Sequence, residues 1–473
     1  MSNKSDFIIL LAGRLIQVAL TLVALRVSTT ILPQLEMGYV YYLIVLQSFF
    51  TLFLISPVGQ FFNRQASKWY DNNIIYSNYI KQVVYISLIS VLSTIVLFFA
   101  KLLGYDLPSY SLLVVSSCLV LSQSSNQTIV PLLNMLGHRR AFVSFSLITA
   151  IFSLLMSFIF ITFFGATAFS WLLGIVVGNL IVTIIATLWF KTTLTNNQSN
   201  AGIDLAQLRR FCLPIAIATI FMWFLNSGYR MVVEGVYGLE FLAFLGVGLS
   251  VSSQVFSIAE SLLTQYFIPG LFKKSEVDCE ISRTNLVNSY FSLVIPLYVS
   301  LALFLTHSIE YFFPYIIAEQ YYDAYHFAIY GAWIELGRVL TNAFAIVSQV
   351  ERKTSKFLFP YAFGAVFLFL SMSLNNEFYS VVSIETLLVT SGFIVLITMY
   401  FFMKRSLKFT IPIKGIVLFN LFTLPAIIFF NLFNIPTSIS IASLILCFIG
   451  GLIYILGVFL AYFFSFKYLE VKL

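Results

Sequence analysis

Histidine, cysteine and charge are scarce in this chain, and each scarcity excludes a class of function. Its 3 histidines and 4 cysteines are scattered without the H-x-x-H or C-x-x-C spacing of metal sites, so we expect neither a metalloenzyme nor a disulfide framework. Charged residues make up only 10% of the chain, and it contains no G-x-x-x-x-G-K-[ST] motif for nucleotides. The sequence therefore predicts no catalytic residues, no metal and no cofactor.

Apolar sequence is abundant instead, with 60% hydrophobic residues and a mean hydropathy of +0.96. Apolar runs of about 20 residues can cross a bilayer as helices, which satisfy their own backbone hydrogen bonds. The sequence therefore predicts an all-α polytopic membrane protein with about 14 transmembrane helices. The predicted spans cover residues 7–28, 38–62, 79–103, 109–136, 142–164, 167–190, 211–233, 241–268, 286–306, 326–349, 356–375, 379–403, 413–433 and 438–465.

The distribution of charge predicts the orientation. An even number of spans places both termini on one side, and most of the 26 lysines and arginines fall on that side. The opposite loops carry acids such as Glu36, Asp106 and Glu240. Because positive loops stay in the cytoplasm, we expect cytoplasmic termini. The net charge of +7 then reflects topology and suits anionic membrane lipids, so no nucleic-acid partner is expected.

The second part of the chain faintly repeats the first. Arg26 is matched by Arg230, and Leu35-Glu36 by Leu239-Glu240. A doubled helix bundle is typical of transporters built from two homologous lobes around a central site. We therefore expect two six-helix lobes around a central cavity, plus two extra C-terminal helices. The predicted segments are an N-terminal lobe over 1–190, a cytoplasmic linker over 191–210, a C-terminal lobe over 211–405, and helices 13 and 14 with the cytoplasmic tail over 406–473.

Five predicted spans carry polar residues along one face, judged at about 100° per residue. Isolated serines in these stripes are read as bonds between helices, worth about 0.6 kcal/mol each. The remaining polar residues are candidates for a substrate-binding cavity: Arg14, Gln17, Gln60, Gln123, Gln127, Asn226, Arg230, Gln254, Arg338 and Asn342.

Charges within spans need a stronger reason, because each costs about 2.5–3.5 kcal/mol at the bilayer centre. Two structural ion pairs are one reading: Arg230 with Glu234, and Glu335 with Arg338. Arg14 has no acid within one helical turn, and it is therefore the best candidate to meet an anion from outside the chain.

Glu260, Glu335 and Glu234 are the candidates for coupling transport to an ion. Glu260 is preferred, because no basic residue lies within one turn of it in its own span and burial disfavours a bare carboxylate. For Glu335, the neighbouring Arg338 should keep the carboxyl group ionised. The alternative for Glu260 is a static hydrogen bond to a facing helix.

Helix breakers occur at the ends of two predicted spans. Pro57-Val58-Gly59-Gln60 interrupts the second span, and Pro269-Gly270 is predicted to end the eighth. Breaks of this kind indicate a central pathway and elements that bend, although membrane helices also simply tolerate proline.

Three short motifs lie between residues 12 and 64. They are Ala12-Gly13-Arg14-Leu15-Ile16-Gln17, Leu35-Glu36-Met37-Gly38-Tyr39 and Ser56-Pro57-Val58-Gly59-Gln60-Phe61-Phe62-Asn63-Arg64. This opening resembles that of Wzx-type polysaccharide flippases, members of the superfamily that also holds multidrug extruders and the flippase of the peptidoglycan precursor. Fourteen helices is a departure, since twelve is more usual for the polysaccharide branch. In the peptidoglycan-precursor branch, two extra helices line a groove for the lipid tail.

The resemblance implies a V-shaped pair of lobes that move an undecaprenyl diphosphate-linked oligosaccharide, such as an O-antigen unit of lipopolysaccharide. The direction would be from the cytoplasmic to the periplasmic leaflet of a bacterial inner membrane, driven by a proton or sodium ion. Polysaccharide polymerase and chain-length proteins would be partners. Arginine suits such a substrate, because its planar fork can contact phosphate oxygens two at a time.

Two other functions stay open on the sequence alone. A multidrug cation antiporter of the same fold would favour an acid-dominated cavity, whereas here Glu234, Glu260 and Glu335 are balanced by arginines. A polytopic O-antigen polymerase or ligase would carry a large outer loop, and the longest one here, over 307–326, is short and acidic.

Overall fold

A computed structural model describes residues 4–194, 204–275, 280–351, 354–373, 383–432 and 439–468. All regular secondary structure in these ranges is helical. Most of the predicted linker, residues 195–203, lies outside the described residues.

Helices follow one another with short connections. In chain order they are α1 (Lys4–Ile31), α2 (Gln34–Phe50), α3 (Ser56–Asp71), α4 (Ile75–Leu102), α5 (Tyr110–Met135), α6 (Arg139–Phe164), α7 (Ala168–Leu194), α8 (Leu205–Trp223), α9 (Tyr229–Ser275), α10 (Glu280–Ile316), α11 (Tyr325–Val350), α12 (Leu358–Ser373), α13 (Ile384–Lys404), α14 (Ile413–Leu432) and α15 (Ile441–Tyr468). Two π-helical turns, Thr51–Ile55 and Phe224–Gly228, join α2 to α3 and α8 to α9.

As far as the structure describes them, the predicted spans fall on these helices, which confirms the all-α polytopic membrane fold. Within the described ranges, 10 helical segments are long and apolar enough to cross a membrane. One of them, Leu205–Thr264, is 60 residues long and contains the seventh predicted span and most of the eighth. The other three spans lie on α5, α11 and the shorter α12. Both α5 and α11 carry many polar residues along their length.

Two compact units make up the chain, Met1–Ala243 and Phe244–Leu473. The first unit therefore includes α8 and the start of α9. Near the division, the backbone of α9 leaves helical geometry at Gly238, whose φ of 81° is a conformation that glycine adopts at little cost. The placement of two homologous lobes on either side of 191–210 stays a prediction.

Proline affects the two predicted break points differently. Before Pro57 the helix contains the π turn Thr51–Ile55, a local irregularity just ahead of the predicted break, while Pro57-Val58-Gly59-Gln60 itself lies in α3 and the helical segment continues to Ala66. The prediction that Pro269-Gly270 ends the eighth span is wrong, because α9 continues to Ser275. A proline in a long helix removes one backbone hydrogen bond, and the turns around it can carry the helix onward.

In the first unit, polar contacts connect helices that are distant in sequence. The carboxylate of Glu36 accepts a hydrogen bond from the backbone N–H of Ala168 at 2.7 Å, at the first residue of α7. This contact satisfies an N–H that has no partner within its own helix, and the negative charge suits the positive end of the helix dipole. Glu36, one of the motif residues, therefore has a structural role here.

In the second unit, α14 and α15 pack against α10 where Pro296 interrupts its hydrogen bonding. The Tyr462 hydroxyl of α15 donates to the Leu293 carbonyl at 3.0 Å. A Cβ added to Gly415 of α14 would lie 3.2 Å from the Pro296 ring. The C-terminal pair of helices thus stabilises the interrupted turn of α10.

Candidate functional site

The strongest concentration of charge in the described membrane helices lies in the second unit, between α9 and α11. Arg338 donates from Nη1 to Glu260 Oε2 at 2.9 Å and from Nε to Glu335 Oε2 at 2.6 Å. Asn342 donates from Nδ2 to the other oxygen of Glu260, Oε1, at 2.8 Å. We call these four residues the α9–α11 cluster. It joins four of the residues predicted from sequence, two as substrate ligands and two as ion-coupling groups.

Geometry within α11 explains how this helix supplies three members of the cluster. Glu335, Arg338 and Asn342 are spaced three and four residues apart and therefore share one face. The confirmed pair Glu335–Arg338 is the i,i+3 pair that the sequence predicted. Glu260 contacts Arg338, which lies 78 residues away in sequence. The sequence pattern of the helix that carries Glu260 does not contain this contact.

Close packing of α9 on α11 brings the two faces together. A Cβ at Gly248 would overlap the carbonyl oxygen of Ala324, and one at Gly331 would lie 3.1 Å from Ser252 Cβ. The Ser252 hydroxyl also donates to the Ala328 carbonyl at 2.5 Å. Small residues that allow helices to approach in this way are typical of membrane helix interfaces.

The electrostatics of the α9–α11 cluster are unbalanced. Its two carboxylates and one guanidinium leave one excess negative charge when both carboxylates are ionised. The side chains are only partly accessible, at 20% for Glu260, 13% for Glu335 and 30% for Arg338. Excess charge is costly at this degree of burial, so the cluster has the chemistry to accept one more positive charge.

Three tyrosines that the sequence analysis missed interact electrostatically with Glu260. Tyr290 and Tyr298 belong to α10, and Tyr361 belongs to α12. Tyr298 and Tyr361 also interact with Arg338. Tyrosine is common in this chain, so only the electrostatic interaction with the charged residues distinguishes these three, and that interaction depends on the tertiary fold.

In the first unit, the predicted polar residues of α1 form one local contact. Arg14 Nη1 donates to Gln17 Oε1 at 2.6 Å, and both side chains are partly buried. Close packing of Gly13 against Val143 of α6 holds this stretch of α1 in place.

The π turns position two more predicted residues of the first unit. Asn226 lies within the turn Phe224–Gly228 and is exposed. Gln60 follows the other π turn, is exposed, and donates to the Ser56 hydroxyl at 3.3 Å. Trp223, which the sequence analysis did not select for binding, donates from its indole N–H to the Ser48 hydroxyl at 3.0 Å. Single π turns are frequent at functional sites.

Arg230 and Glu234 lie near aromatic side chains of the same unit. The Arg230 guanidinium lies 5.6 Å from the ring centre of Tyr41 and 5.8 Å from that of Tyr229, within the range of cation–π attraction. Glu234 interacts electrostatically with Asp106 and Tyr42. The Arg230–Glu234 ion pair stays a prediction.

The remaining predicted residues differ in exposure. Gln127 on α5 is exposed, whereas Gln123 on α5 and Gln254 on α9 are partly buried. The structure therefore gathers Arg338, Asn342, Glu260 and Glu335 into one cluster and pairs Arg14 with Gln17.

Comparison with known proteins adds the class of fold. No protein-family model and no curated protein sequence matches the chain. Among solved structures, the lipid II flippase MurJ in an inward closed conformation is similar, with 16% identity and a TM-score of 0.64, over 99% of this chain and 100% of that one.

Two further similar structures belong to transporters. A eukaryotic MATE transporter, AtDTX14, has 11% identity and a TM-score of 0.55, over 85% of this chain and 93% of that one. A MOP-superfamily transporter from Pyrococcus furiosus, described as having a binding pocket of reverse polarity, has 12% identity and a TM-score of 0.53, over 85% and 95%. At these identities the likeness shows a shared polytopic fold.

Proposed function

We propose that the protein is a flippase that moves an undecaprenyl diphosphate-linked oligosaccharide across a bacterial inner membrane by alternating access. Translocation of this kind forms no covalent bond, and it requires a polar path for the sugars and a cation for the diphosphate. The motif residues between 12 and 64 and the polar helices support this reading. The substrate would move from the cytoplasmic leaflet to the periplasmic leaflet, where polysaccharide polymerase and chain-length proteins could receive it.

The likeness to a lipid flippase over almost the whole chain favours this proposal over a multidrug antiporter. The MurJ match extends over 99% of the chain, whereas the two MATE-like matches given above extend over 85%. The part of this chain that each of the two MATE-like matches does not cover is similar in length to segment 406–473, which contains α14 and α15. A prenyl-linked substrate needs a surface for its tail, and a drug does not.

The α9–α11 cluster is the proposed site of ion coupling. One excess negative charge matches one proton or one monovalent cation. Both oxygens of Glu260 accept N–H donors, so a metal ion bound there would have to displace Arg338 and Asn342. A proton could instead be accepted at Glu335 Oε1, which has no hydrogen-bond partner among the described residues, without moving either donor. These contacts favour a proton.

Arg14 is the proposed ligand of the lipid diphosphate, and its test uses a matched arginine. Proteoliposomes would be assayed for translocation of a labelled lipid-linked oligosaccharide. Arg14→Ala should abolish translocation, and Arg14→Lys should restore part of it, because lysine keeps the charge but lacks the fork. Arg26→Ala, about 18 Å further along the same helix, is the control and should leave translocation intact.

Efflux of a cationic dye from the same vesicles tests the multidrug alternative. The proposal predicts no dye transport by the wild type. Dye transport without oligosaccharide translocation, or normal translocation by Arg14→Ala, would contradict it.

Orientation is tested by labelling single cysteines with an impermeant thiol reagent in intact cells, after the native cysteines have been replaced. Lys408→Cys should be protected and Glu319→Cys should react, because both side chains are exposed and the proposal places them on opposite sides. The reverse pattern would invert the direction of transport.

A further inference from the structure

The two carboxylates that share Arg338 are not equivalent. Glu260 accepts hydrogen bonds at both oxygens, from Arg338 and from Asn342. Glu335 accepts one, at Oε2, and its Oε1 has no hydrogen-bond partner among the described residues. A proton on Oε1 would therefore leave all three hydrogen bonds of the cluster intact. A proton on either oxygen of Glu260 would compete with an existing N–H donor.

The guanidinium itself has unused capacity. Arginine carries five N–H groups, and in the described part of the chain only two of those of Arg338 have partners. At 30% exposure, Arg338 is the most accessible of the three charged side chains. Its remaining N–H groups can therefore receive a planar or tetrahedral anion without breaking the existing pairs.

Charge controls access to those N–H groups. When both carboxylates are ionised, an anion that approaches Arg338 meets an excess negative charge within a few ångström, where repulsion is strong in a partly buried site. The sequence alone predicts that Arg338 keeps Glu335 ionised, but in the structure the guanidinium is shared with Glu260. One proton on Glu335 makes the cluster neutral and leaves Glu260 as the one ionised partner of Arg338 in the cluster, while the hydrogen bond to Glu335 Oε2 is kept. The same guanidinium then attracts an anion.

From this asymmetry we infer that the α9–α11 cluster is a proton-gated anion site, in which protonation of Glu335 allows Arg338 to bind a diphosphate group. The inference rests on the proposed function for the identity of the anion. Linkage is reciprocal, so a bound diphosphate would also favour proton uptake at Glu335. One buried cluster would thus bind the ion and recognise the substrate.

The charged and titratable groups near Glu335 come from the cluster itself and from the helices packed against α11. Its own helix supplies Arg338 and α9 supplies Glu260, both already in the cluster. Neighbouring tyrosines of α10 and α12 stay neutral, since tyrosine ordinarily titrates near pH 10. Packed against α11, α13 places Gly392 beside Gly337. The titratable residues of α13 lie in its first turn and near its end: Glu385, Tyr400 and Lys404.

The test measures anion binding by the purified full-length protein at pH 5.5 and pH 7.5. Inorganic pyrophosphate is the first probe, and undecaprenyl diphosphate in nanodiscs is the second. Wild type should bind about tenfold more tightly at the lower pH, a typical size for coupling between two sites. Glu335→Gln, which mimics the protonated carboxyl, should bind with the higher affinity at both values.

Glu260→Gln is the matched control. It removes a charge but retains Glu335, so its affinity should be higher overall and should still depend on pH. Because pyrophosphate itself changes charge with pH, the difference between these two variants carries the result. Thermal melting of each variant confirms that it is folded.

Three results would overturn the inference: the wild-type pH dependence persisting in Glu335→Gln, the loss of that dependence in Glu260→Gln, or no pyrophosphate binding by the wild type at either pH. The proposed function is judged separately. Pyrophosphate binding without any undecaprenyl diphosphate binding would support the anion site and contradict the flippase. Translocation of the oligosaccharide by a protein whose anion binding does not depend on protonation of Glu335 would contradict the anion site and support the flippase.

Discussion

Helices α5 and α11 are both rich in polar residues, but they use them differently. The polar groups of α5 are all uncharged, and several of them, including Ser116 and Asn126, bond to neighbouring helices of the first unit. Asn126 donates to the Thr149 hydroxyl at 3.2 Å, and the Ser117 carbonyl accepts from the Ser90 hydroxyl at 2.7 Å. In α11, charged residues interact instead, and they form one cluster with α9.

The difference shows which polar residues of a membrane helix indicate function. Neutral hydrogen bonds between helices are inexpensive to keep and contribute little each. A cluster with unbalanced charge destabilises the fold unless an ion or substrate completes it. Charge imbalance is therefore a better marker of a site than polarity.

Removing the central cation should give the largest effect. Arg338→Met leaves two carboxylates together without their shared cation, and we expect a loss of about 3–5 kcal/mol of stability together with a loss of transport. The melting temperature in detergent and the translocation assay measure both. The triple variant Glu260→Gln, Glu335→Gln, Arg338→Met should recover most of the melting temperature and still fail to transport. An Arg338→Met protein as stable as the wild type would refute the electrostatic account of α11.

Asparagine substitutions compare the two helices directly. Asn342→Ala removes a donor to a carboxylate, so we expect a loss of about 1.5–3 kcal/mol. Asn126→Ala removes a donor to a hydroxyl and should cost about 0.6 kcal/mol. Because the same atoms are deleted in both variants, the difference between their melting temperatures measures how much more a hydrogen bond to a carboxylate contributes than one to a hydroxyl. Equal costs would show that α5 and α11 do not differ in this respect.

Gln127→Ala asks whether α5 also takes part in transport. Gln127 is exposed and was predicted to bind substrate, so we expect translocation to fall about two- to tenfold, the range of one neutral hydrogen bond. The melting temperature should not change. Unaltered translocation would leave α5 with a structural role only.

The smallest effect is expected for Ser90→Ala. Its hydroxyl bonds to a backbone carbonyl of α5, a contact of the kind worth about 0.6 kcal/mol. We expect a slightly lower melting temperature and normal translocation. A loss of translocation would place the α4–α5 interface in the transport path.

Local patterns in the sequence predicted the helices and the contacts within one helix. The fourteen spans and the Glu335–Arg338 pair depend on residues a few positions apart, where helix geometry fixes the neighbours. The same reasoning does not extend to contacts between helices. Glu260 was preferred for the absence of a basic neighbour in its own helix, and Arg338 reaches it from another.

Features that depend on tertiary packing could not be predicted from one sequence. Tyr290, Tyr298 and Tyr361 resemble many other tyrosines until the fold brings them near Glu260. Continuation of α9 through Pro269 also depends on neighbouring structure, because proline by itself is compatible with either a helix end or a tolerated kink.

Pairing of Arg338 with both carboxylates has a consequence for biogenesis. Glu335 and Arg338 enter the bilayer on one helix and can neutralise each other as soon as α11 leaves the translocon. Glu260 is synthesised 78 residues before Arg338, so during that interval the nascent chain carries a carboxylate whose cation does not yet exist. A ribosome stalled within that interval should therefore hold α9 near the translocon or a membrane chaperone, and should release it into lipid once α11 has been made.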